Sequence, residues 1–258
     1  MPITQPSPFS AQSNALEVRL LGVVDFDAAQ TLQEWLIYEQ SGRTDRHGVL
    51  LLCEHPPIIS MGREASRQQL ALSDEELAKR EIEIRWVSRG GGAVLHAPGQ
   101  LAIYPIIPLG RNGLSVADYE QRMLDALVAV CHDLRVPAKQ LAGQSGLWSR
   151  GGQVGQFGAT VKSWVTSQGA WLNIAPHPDL LQILQVDAVA GDVADPIHRA
   201  TRWTSLQAQL LRRIPMSSAR AAAIGRVSNA LGYDTIHTFT GHPKLIRTRR
   251  RVRVGISS

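Results

Sequence analysis

The stretch that decides the fold reads Arg89-Gly90-Gly91-Gly92-Ala93-Val94-Leu95-His96-Ala97-Pro98-Gly99-Gln100. The alternating apolar residues at 82–86 before it predict a half-buried strand, and the apolar run at 101–107 after it predicts another. Successive glycines between two strands let the backbone approach a ligand closely with its N–H groups exposed, although glycine also serves any tight loop. With Arg89 and His96 as side-chain donors, the stretch is a candidate binding turn.

Strands and helices are predicted in an interleaved order on both sides of this stretch. The unbroken apolar run at 49–53 predicts a central strand that is buried on both faces. Ser73 and Ser115 each have an acidic residue three positions later, a capping pattern that predicts the start of a helix. The remaining predicted strands are 18–24, 58–61, 147–148, 153–159 and 164–174, and the remaining helices are 28–38, 203–213 and 217–231 with Gly232 as a C-terminal cap. Because the order is not a regular βαβ alternation, the predicted class is α+β, a mixed β-sheet flanked by helices.

Length and composition predict one large hydrophobic core. The chain has 258 residues, of which 44% are apolar. We assign residues 1–15 to a disordered N-terminus, 16–235 to one folded domain and 236–258 to a basic C-terminal tail. No apolar run reaches the roughly 18 to 20 residues of a membrane span, and the N-terminus lacks a signal-peptide pattern, so a soluble, cytoplasmic protein is expected.

Several classes of function are disfavoured by the side chains. Cys53 and Cys131 are far apart in apolar surroundings, so neither a disulfide nor a pair of metal ligands is predicted. The eight histidines show no metal-ligand spacing, and neither a metal nor a cofactor is expected. The arginine-rich residues 244–253 would attract an acidic partner, either nucleic acid or an acidic carrier protein, or form a solvated tail. Nucleic acid is the weaker candidate because no aromatic platform or recognition motif accompanies the arginines.

Several ordered segments resemble one known family. Residues 89–100 look like the acyl-binding signature of the octanoyl-carrier-protein:protein octanoyltransferases, whose usual form is Arg-Gly-Gly-Gln-x-x-x-His-Gly-Pro-Gly-Gln. Residues 50–63, 146–158 and 168–174 are similar to three further segments of that family in the same order, and Thr204-Ser205-Leu206 matches a later one. The resemblance covers about residues 18–206 and implies the catalytic-domain fold of the lipoate/biotin protein ligase superfamily.

By this resemblance the chain recognises a medium-chain acyl group. The implied substrate-binding residues are Arg89, Gly90, Gly91, Gly92, Ala93, Val94, Leu95, His96, Gln156, Phe157, Gly158, Gly169, Ala170 and Trp171. Arg89 and His96 would donate to the thioester carbonyl, and Trp171, where the family has alanine, would shorten the apolar tunnel for the acyl tail. The implied partners are an acyl carrier protein, which donates the octanoyl group, and the lipoyl domains of 2-oxoacid dehydrogenases or the glycine cleavage H protein, whose lysine accepts it in lipoate biosynthesis.

The chain departs from the family at the residues that carry its chemistry. The nucleophilic cysteine of the family falls at Val189 or Ala190 in this chain, depending on one gap. The lysine that stabilises the thiolate falls at Gln153, whose neutral amide cannot favour a thiolate by its charge. No catalytic residue is therefore assigned.

Few other side chains are candidates for the missing groups. Cys53 in a buried strand and Cys131 on the apolar face of a helix are expected to be inert core thiols. Lys162, across the predicted hairpin from Gln153, either supplies the missing ammonium or is an exposed strand lysine. A later histidine of the family is replaced by Gln168.

Three functions are consistent with these departures. The first is an acyltransferase that works without a covalent intermediate and relies on proximity. The second is a non-catalytic protein that keeps the acyl pocket and binds the carrier protein or the lipoyl domain. The third is an ATP-dependent lipoate or biotin protein ligase, because Gly90-Gly91-Gly92-Ala93-Val94 also resembles a run in those enzymes. We rank the ligase below the other two, since ligases also need a lysine at the position of Gln153 and Pro98-Gly99-Gln100 is the transferase form.

Overall fold

The structure is a computed structural model that describes residues 14–141, 143–185, 202–210 and 212–245. Most of the predicted disordered N-terminus, positions 189 and 190 and the arginines of the C-terminal tail lie outside the described residues. Within the described part of the chain, no helix is long and apolar enough to cross a membrane.

The strands of the described residues form two sheets. They are β1 (Ala15–Val23), β2 (Gly48–Glu54), β3 (Ile58–Met61), β4 (Glu83–Trp86), β5 (Ala93–His96), β6 (Gln100–Ile106), β7 (Lys139–Gln140), β8 (Gly146–Ser149), β9 (Gly152–Lys162), β10 (Val165–Asn173) and β11 (Thr235–Thr240). The larger sheet has eight strands in the order β11-β1-β2-β6-β10-β9-β8-β7, and the smaller has three in the order β4-β3-β5. In the larger sheet, β1 is parallel to both β2 and β11. The neighbouring strands along the rest of that sheet, in the order β2-β6-β10-β9-β8-β7, are all antiparallel. The prediction of an α+β fold with a mixed sheet is confirmed.

Helices pack on both faces of the larger sheet, α1 on one face and α3 and α6 on the other. The helices of the described residues are α1 (Phe26–Ser41), α2 (Asp74–Lys79), α3 (Val116–Asp133), α4 (Pro178–Leu181), α5 (Leu206–Leu210) and α6 (Met216–Ala230). Both predicted capping boxes are confirmed, because the Ser73 and Ser115 side chains accept the backbone N–H three residues on and the acidic side chain reaches back. The helix α6 ends as predicted before Gly232, whose φ of 76° is the left-handed conformation of a helix terminus.

The core lies on both sides of β2, as the sequence predicts. Leu50 and Leu52 pack with α3 and α6 on one face of the sheet. Leu51 and Cys53 pack with α1 on the other face. A third cluster of buried apolar residues lies beneath the smaller sheet and includes Ile59 and Leu95. The smaller sheet therefore packs on its own apolar cluster, separate from the two clusters of the larger sheet.

Three details of the fold differ from the sequence-based expectations. The strand β11 lies in the segment assigned to the tail, where it pairs with β1, so the sheet extends beyond residue 235. The helix predicted from Trp203 begins at Leu206, because Trp203 forms a β-bridge with Gln153 of β9. Trp86, predicted to be half-buried, is 68% exposed because β4 is the edge strand of the smaller sheet.

One ion pair ties α6 to the end of the glycine-rich stretch. Arg220 of α6 donates to one carboxylate oxygen of Glu54 at 2.8 Å, and the backbone N–H of Gly99 donates to the other at 2.8 Å. Both side chains are mostly buried, with 24% and 14% of their surfaces exposed. Glu54 therefore connects β2, α6 and the turn between β5 and β6.

We expect Glu54→Gln to lower the free energy of unfolding by about 2 kcal/mol, because a hydrogen bond between charged groups is replaced by one to a neutral amide. Asp133→Asn is the matched control, since Asp133 pairs with Arg226 of the same helix at an exposed position, where ion pairs contribute little. Urea denaturation measures both variants. Equal midpoints for the two would contradict a structural role of the Glu54 ion pair.

Candidate functional site

The glycine run packs against β9 of the larger sheet. The N–H of Gly90 donates to the carbonyl of Ala159 at 3.1 Å. Opposite it, a Cβ atom on Gly158 would lie only 2.6 Å from the carbonyl oxygen of Gly90. The absence of a side chain at residue 158 is therefore what allows β9 and the glycine run to approach.

Most of the expected N–H donors of the run are already paired within the chain. The N–H of Gly91 donates to Glu64 Oε1 at 3.2 Å, and that of Ala93 donates to Gln69 Oε1 at 2.9 Å. The carbonyl of Gly92 accepts from the N–H of Gly62 at 3.2 Å. The segment around residues 62–69 thus lies over the glycine run and fixes its conformation.

Arg89 is fully buried and is held by neutral acceptors. Its Nη2 donates to the carbonyl oxygen and to the hydroxyl of Ser60, both at 2.8 Å, and its Nη1 donates to the carbonyl of Gly90 at 2.9 Å. The guanidinium carbon lies 4.9 Å from the ring centroid of Trp171, a cation–π contact. Burial lowers the pKa of Arg89 to about 10, so the group stays a cation at neutral pH.

His96 is neutral and continues this buried chain of hydrogen bonds. Its Nε2 lies 2.8 Å from the Ser60 hydroxyl, which also accepts from Nη2 of Arg89. Burial lowers the pKa of His96 well below the usual value, and the nearby His55 and Arg89 lower it further.

A second buried chain of hydrogen bonds orients the Trp171 indole. His55 Nδ1 lies 2.8 Å from the carbonyl of Val24, so that nitrogen is the donor and Nε2 is the acceptor. The Tyr104 hydroxyl donates to His55 Nε2 at 2.9 Å and accepts from Trp171 Nε1 at 3.1 Å. Burial lowers the pKa of His55 to about 4, which keeps the imidazole neutral. The Trp171 side chain is therefore fixed by Tyr104 at its N–H and by Arg89 on its face.

An apolar cleft of about 280 Å³ opens beside Trp171. Its apolar walls are Val94, Leu95, Trp171, Leu181, Leu184 and Trp203. Gln100, Asn173 and Gln156 supply its polar surface. We call this space the apolar cleft.

A larger and more polar space of about 690 Å³ adjoins the apolar cleft. The two share the side chains of Gln156 and Trp203. Its walls include five glutamines, namely Gln69, Gln144, Gln153, Gln156 and Gln185. Among the described residues that line either space, Glu64 is the only one with an ionisable side chain. We call this second space the amide cleft.

Half of the implied substrate-binding residues line these two clefts. They are Gly91, Gly92, Ala93, Val94, Leu95, Gln156 and Trp171. Arg89 and His96 line neither cleft and instead support Trp171 from behind, with the His96 ring 5.5 Å from the indole. Both side chains thus lie one layer behind the walls of the clefts.

The other implied residues serve the packing of strands. Phe157 and Ala170 belong to the core on the α3 and α6 face, where the Phe157 ring lies 5.8 Å from Tyr119. Gly90 and Gly158 form the close backbone approach described above. A Cβ atom on Gly169 would lie 2.4 Å from the carbonyl oxygen of Ile103, so glycine there permits the pairing of β10 with β6.

The far walls of both clefts were not predicted from the sequence. Leu181 ends α4, and Leu184 and Gln185 follow it, with Leu184 in a β-bridge to Leu70. No local pattern marks these residues as a binding wall. Glu64 had a signal, since it directly follows the Met61-Gly62-Arg63 segment of the family resemblance.

The groups considered as substitutes for the missing lysine do not surround Gln153. Gln153 is buried on the wall of the amide cleft, where its Nε2 donates to the carbonyl of Gly155 at 3.2 Å. Lys162 does not lie across a hairpin from it, because both residues belong to β9. They occupy opposite ends of that strand, about 30 Å apart at the usual rise per residue. Lys162 cannot replace the missing ammonium.

The thiols and the glutamine at the histidine position are also buried. Burial raises the pKa of the Cys53 thiol well above its usual value and that of Cys131 to about 12, so neither is a ready thiolate. Gln168 forms hydrogen bonds with Gln30 and Gln33 of α1. No cluster of metal-ligating side chains is found among the described residues.

The fold and the two clefts define an α+β domain of the lipoate protein ligase type. Solved structures with this fold include a bipartite lipoate protein ligase from Thermoplasma acidophilum, with a TM-score of 0.67, 17% identity and 88% of each chain covered. Another is lipoate-protein ligase A bound with ATP, with a TM-score of 0.65, 16% identity and coverage of 88% of this chain and 90% of that one.

Sequence comparison identifies the family. Residues 25–227 match the lipoyl protein ligase A/B catalytic domain. The octanoyltransferase of Geobacter metallireducens is 34% identical over 209 residues, which are 81% of this chain and 90% of that protein. The octanoyltransferase of Geotalea uraniireducens is 31% identical over 211 residues, which are 82% of this chain and 91% of that protein. The chain belongs to the octanoyltransferase family.

We expect Gly158→Ala to displace the glycine run, because the new methyl group would meet a backbone carbonyl that cannot turn aside. The cost of such overpacking is about 1 to 3 kcal/mol in the free energy of unfolding. Gly225→Ala is the control, since nothing lies within 4 Å of a Cβ atom there and alanine favours the helix α6. Thermal unfolding of both variants is the measurement, and a Gly158→Ala variant as stable as Gly225→Ala would show that the contact is dispensable.

Proposed function

We propose that this chain transfers a medium-chain acyl group from an acyl carrier protein to a lysine of a lipoyl domain, without a covalent acyl-enzyme intermediate. The apolar cleft beside Trp171 takes the acyl tail, and the amide cleft takes the thioester end. The observation that carries the proposal is the junction of the two clefts at Gln156 and Trp203, next to the signature glycines. In this role the protein acts in lipoate biosynthesis.

The apolar cleft suits a short saturated chain. Its volume of about 280 Å³ includes the solvent at its open mouth, and the space between its walls is a narrow slot. Its walls are leucine, valine and tryptophan side chains. At about 0.8 kcal/mol for each buried methylene, the six methylenes of an octanoyl tail contribute about 5 kcal/mol.

The amide cleft suits the neutral end of the substrate. A carrier protein presents its acyl group on an arm that contains amides, and glutamine side chains both donate to and accept from such groups. Carriers, lipoyl domains and this enzyme would meet in the cytoplasm. The arginine-rich tail, which is outside the described residues, would attract an acidic carrier protein by its charge.

The burial of both thiols supports direct transfer of the acyl group from the carrier to the lysine. The chain contains only two cysteines, Cys53 and Cys131, and both are fully buried away from the clefts. A thioester is reactive enough that holding it next to an amine can supply much of the rate enhancement through proximity and orientation. We expect this direct transfer to be slower than transfer by a family member that has the cysteine nucleophile.

The charge of the amide cleft argues against an ATP-dependent ligase. An acyl-adenylate carries a phosphate, which needs cations or a cluster of free N–H groups. No lysine or arginine is found among the described residues that line the amide cleft, and three N–H groups of the glycine run are already paired. A binding protein without turnover stays the second candidate, because no thiolate is available to the substrate.

The deciding experiment combines the protein with octanoyl carrier protein and a lipoyl domain, with and without ATP, and weighs every species by intact mass spectrometry. We expect one octanoyl group on the lipoyl domain without ATP and no change in the mass of this chain. A gain that requires ATP would identify a ligase. A stable complex with no gain would identify a binding protein, and neither gain nor complex would overturn the proposal.

We expect Trp171→Leu to shift the preference toward longer acyl chains, because the indole closes the apolar cleft. Each additional methylene that fits is worth about 0.8 kcal/mol, or about fourfold in kcat/KM. The measurement compares octanoyl, decanoyl and dodecanoyl carrier proteins. Trp164→Leu is the control, since Trp164 is 64% exposed at the β9–β10 turn. An unchanged preference in a folded Trp171→Leu variant would show that another wall sets the chain length.

A further inference from the structure

Glu64 holds a carboxylate at the wall of the amide cleft. The residue is exposed, so a side chain of another protein can reach it from solvent. One carboxylate oxygen accepts the N–H of Gly91 at 3.2 Å. This hydrogen bond fixes the carboxylate to the glycine run through Oε1, and the bond does not use Oε2.

Glu64 forms no ion pair with the neighbouring arginines among the described residues. Arg63 donates instead to the carbonyl of Ser88 at 2.9 Å. Arg89 is buried and donates to Ser60 and Gly90. The ion pairs of the described residues involve other side chains. Glu64 therefore brings to the amide cleft a carboxylate with no direct ion-pair partner among the described residues, although the buried Arg89 cation attracts it from behind.

This charge matches one substrate of the proposed function and not the other. The acyl thioester is neutral at its reacting end, whereas the acceptor lysine carries an ammonium group. Direct aminolysis also needs a group that takes a proton from the attacking nitrogen, a task that carboxylates perform in many enzymes. In the described walls of both clefts, no second ionisable side chain is available for that task.

We infer that Glu64 is the acceptor-lysine site, which holds the incoming ammonium and takes a proton from its nitrogen during transfer; this rests on the proposed function. The ammonium first loses one proton to solvent. The amine nitrogen then attacks the thioester carbonyl carbon, so that a C–N bond forms and the C–S bond breaks. Glu64 accepts the second proton from the nitrogen and passes it to the departing sulfur, which leaves as a thiol.

The test uses Glu64→Gln in the full chain. Glutamine keeps an oxygen that can accept the N–H of Gly91, so a purely structural role of Glu64 predicts little change. Loss of a general base predicts a fall of about 100-fold in kcat for transfer from octanoyl carrier protein to the lipoyl domain. Glu64→Asp should recover part of that loss. Glu34→Gln, on the exposed face of α1, is the matched control and should match the wild type.

A binding measurement separates this inference from the proposed function. Isothermal titration compares a lipoyl domain that has its acceptor lysine with one in which that lysine is replaced by methionine. We expect the wild-type chain to bind the lysine form about threefold more tightly, and Glu64→Gln to bind both forms equally, since exposed ion pairs are worth up to about 1 kcal/mol.

The outcomes are distinct. If the wild-type chain transfers nothing, the proposed function fails, and the lysine preference in binding alone decides whether Glu64 is the lysine site. If the wild-type chain transfers and Glu64→Gln transfers equally well, the role of Glu64 is overturned while the proposed function stands. A wild-type chain with no preference for the lysine form would also overturn it.

Discussion

The Arg89 guanidinium is buried without a carboxylate, and the arrangement of the site depends on how it is accommodated. Its Nη1 and Nη2 atoms donate to Gly90 and to Ser60 of β3, while its face lies against Trp171 of β10. One side chain thus joins the smaller sheet, the glycine run and the larger sheet. A buried charge held by several neutral partners is costly to displace, so these three elements have little freedom to separate.

This junction explains why the signature residues divide into two groups. Arg89 and His96 form the support behind Trp171, and Gly91, Gly92 and Val94 form part of the surface that faces the clefts. The surface is nearly free of charge because the cation is one layer below it. Under the proposed function such a neutral site receives a thioester, and Glu64 is the one ionisable side chain among the described residues of the cleft walls.

Local patterns were sufficient for most of the elements but not for their spatial neighbours. The apolar run of β2 and the capping serines of α2 and α3 each predict their element from a few neighbouring residues. The strand β11 was not predicted because it lacks a strictly alternating apolar pattern and a buried face, and its place is set by pairing with β1. Likewise, Lys162 and Gln153 share one strand because β9 continues beyond the predicted end at residue 159.

The sequence by itself determined the α+β class, the family and the glycine-rich turn. These follow from residue identity and short-range periodicity, which a linear chain displays directly. Only the tertiary structure decided that Arg89 and His96 support the site from behind, and that Trp203, Leu184 and Glu64 complete its walls. These facts arise from contacts between segments far apart in the chain, and such contacts depend on strand register and packing that no local pattern specifies.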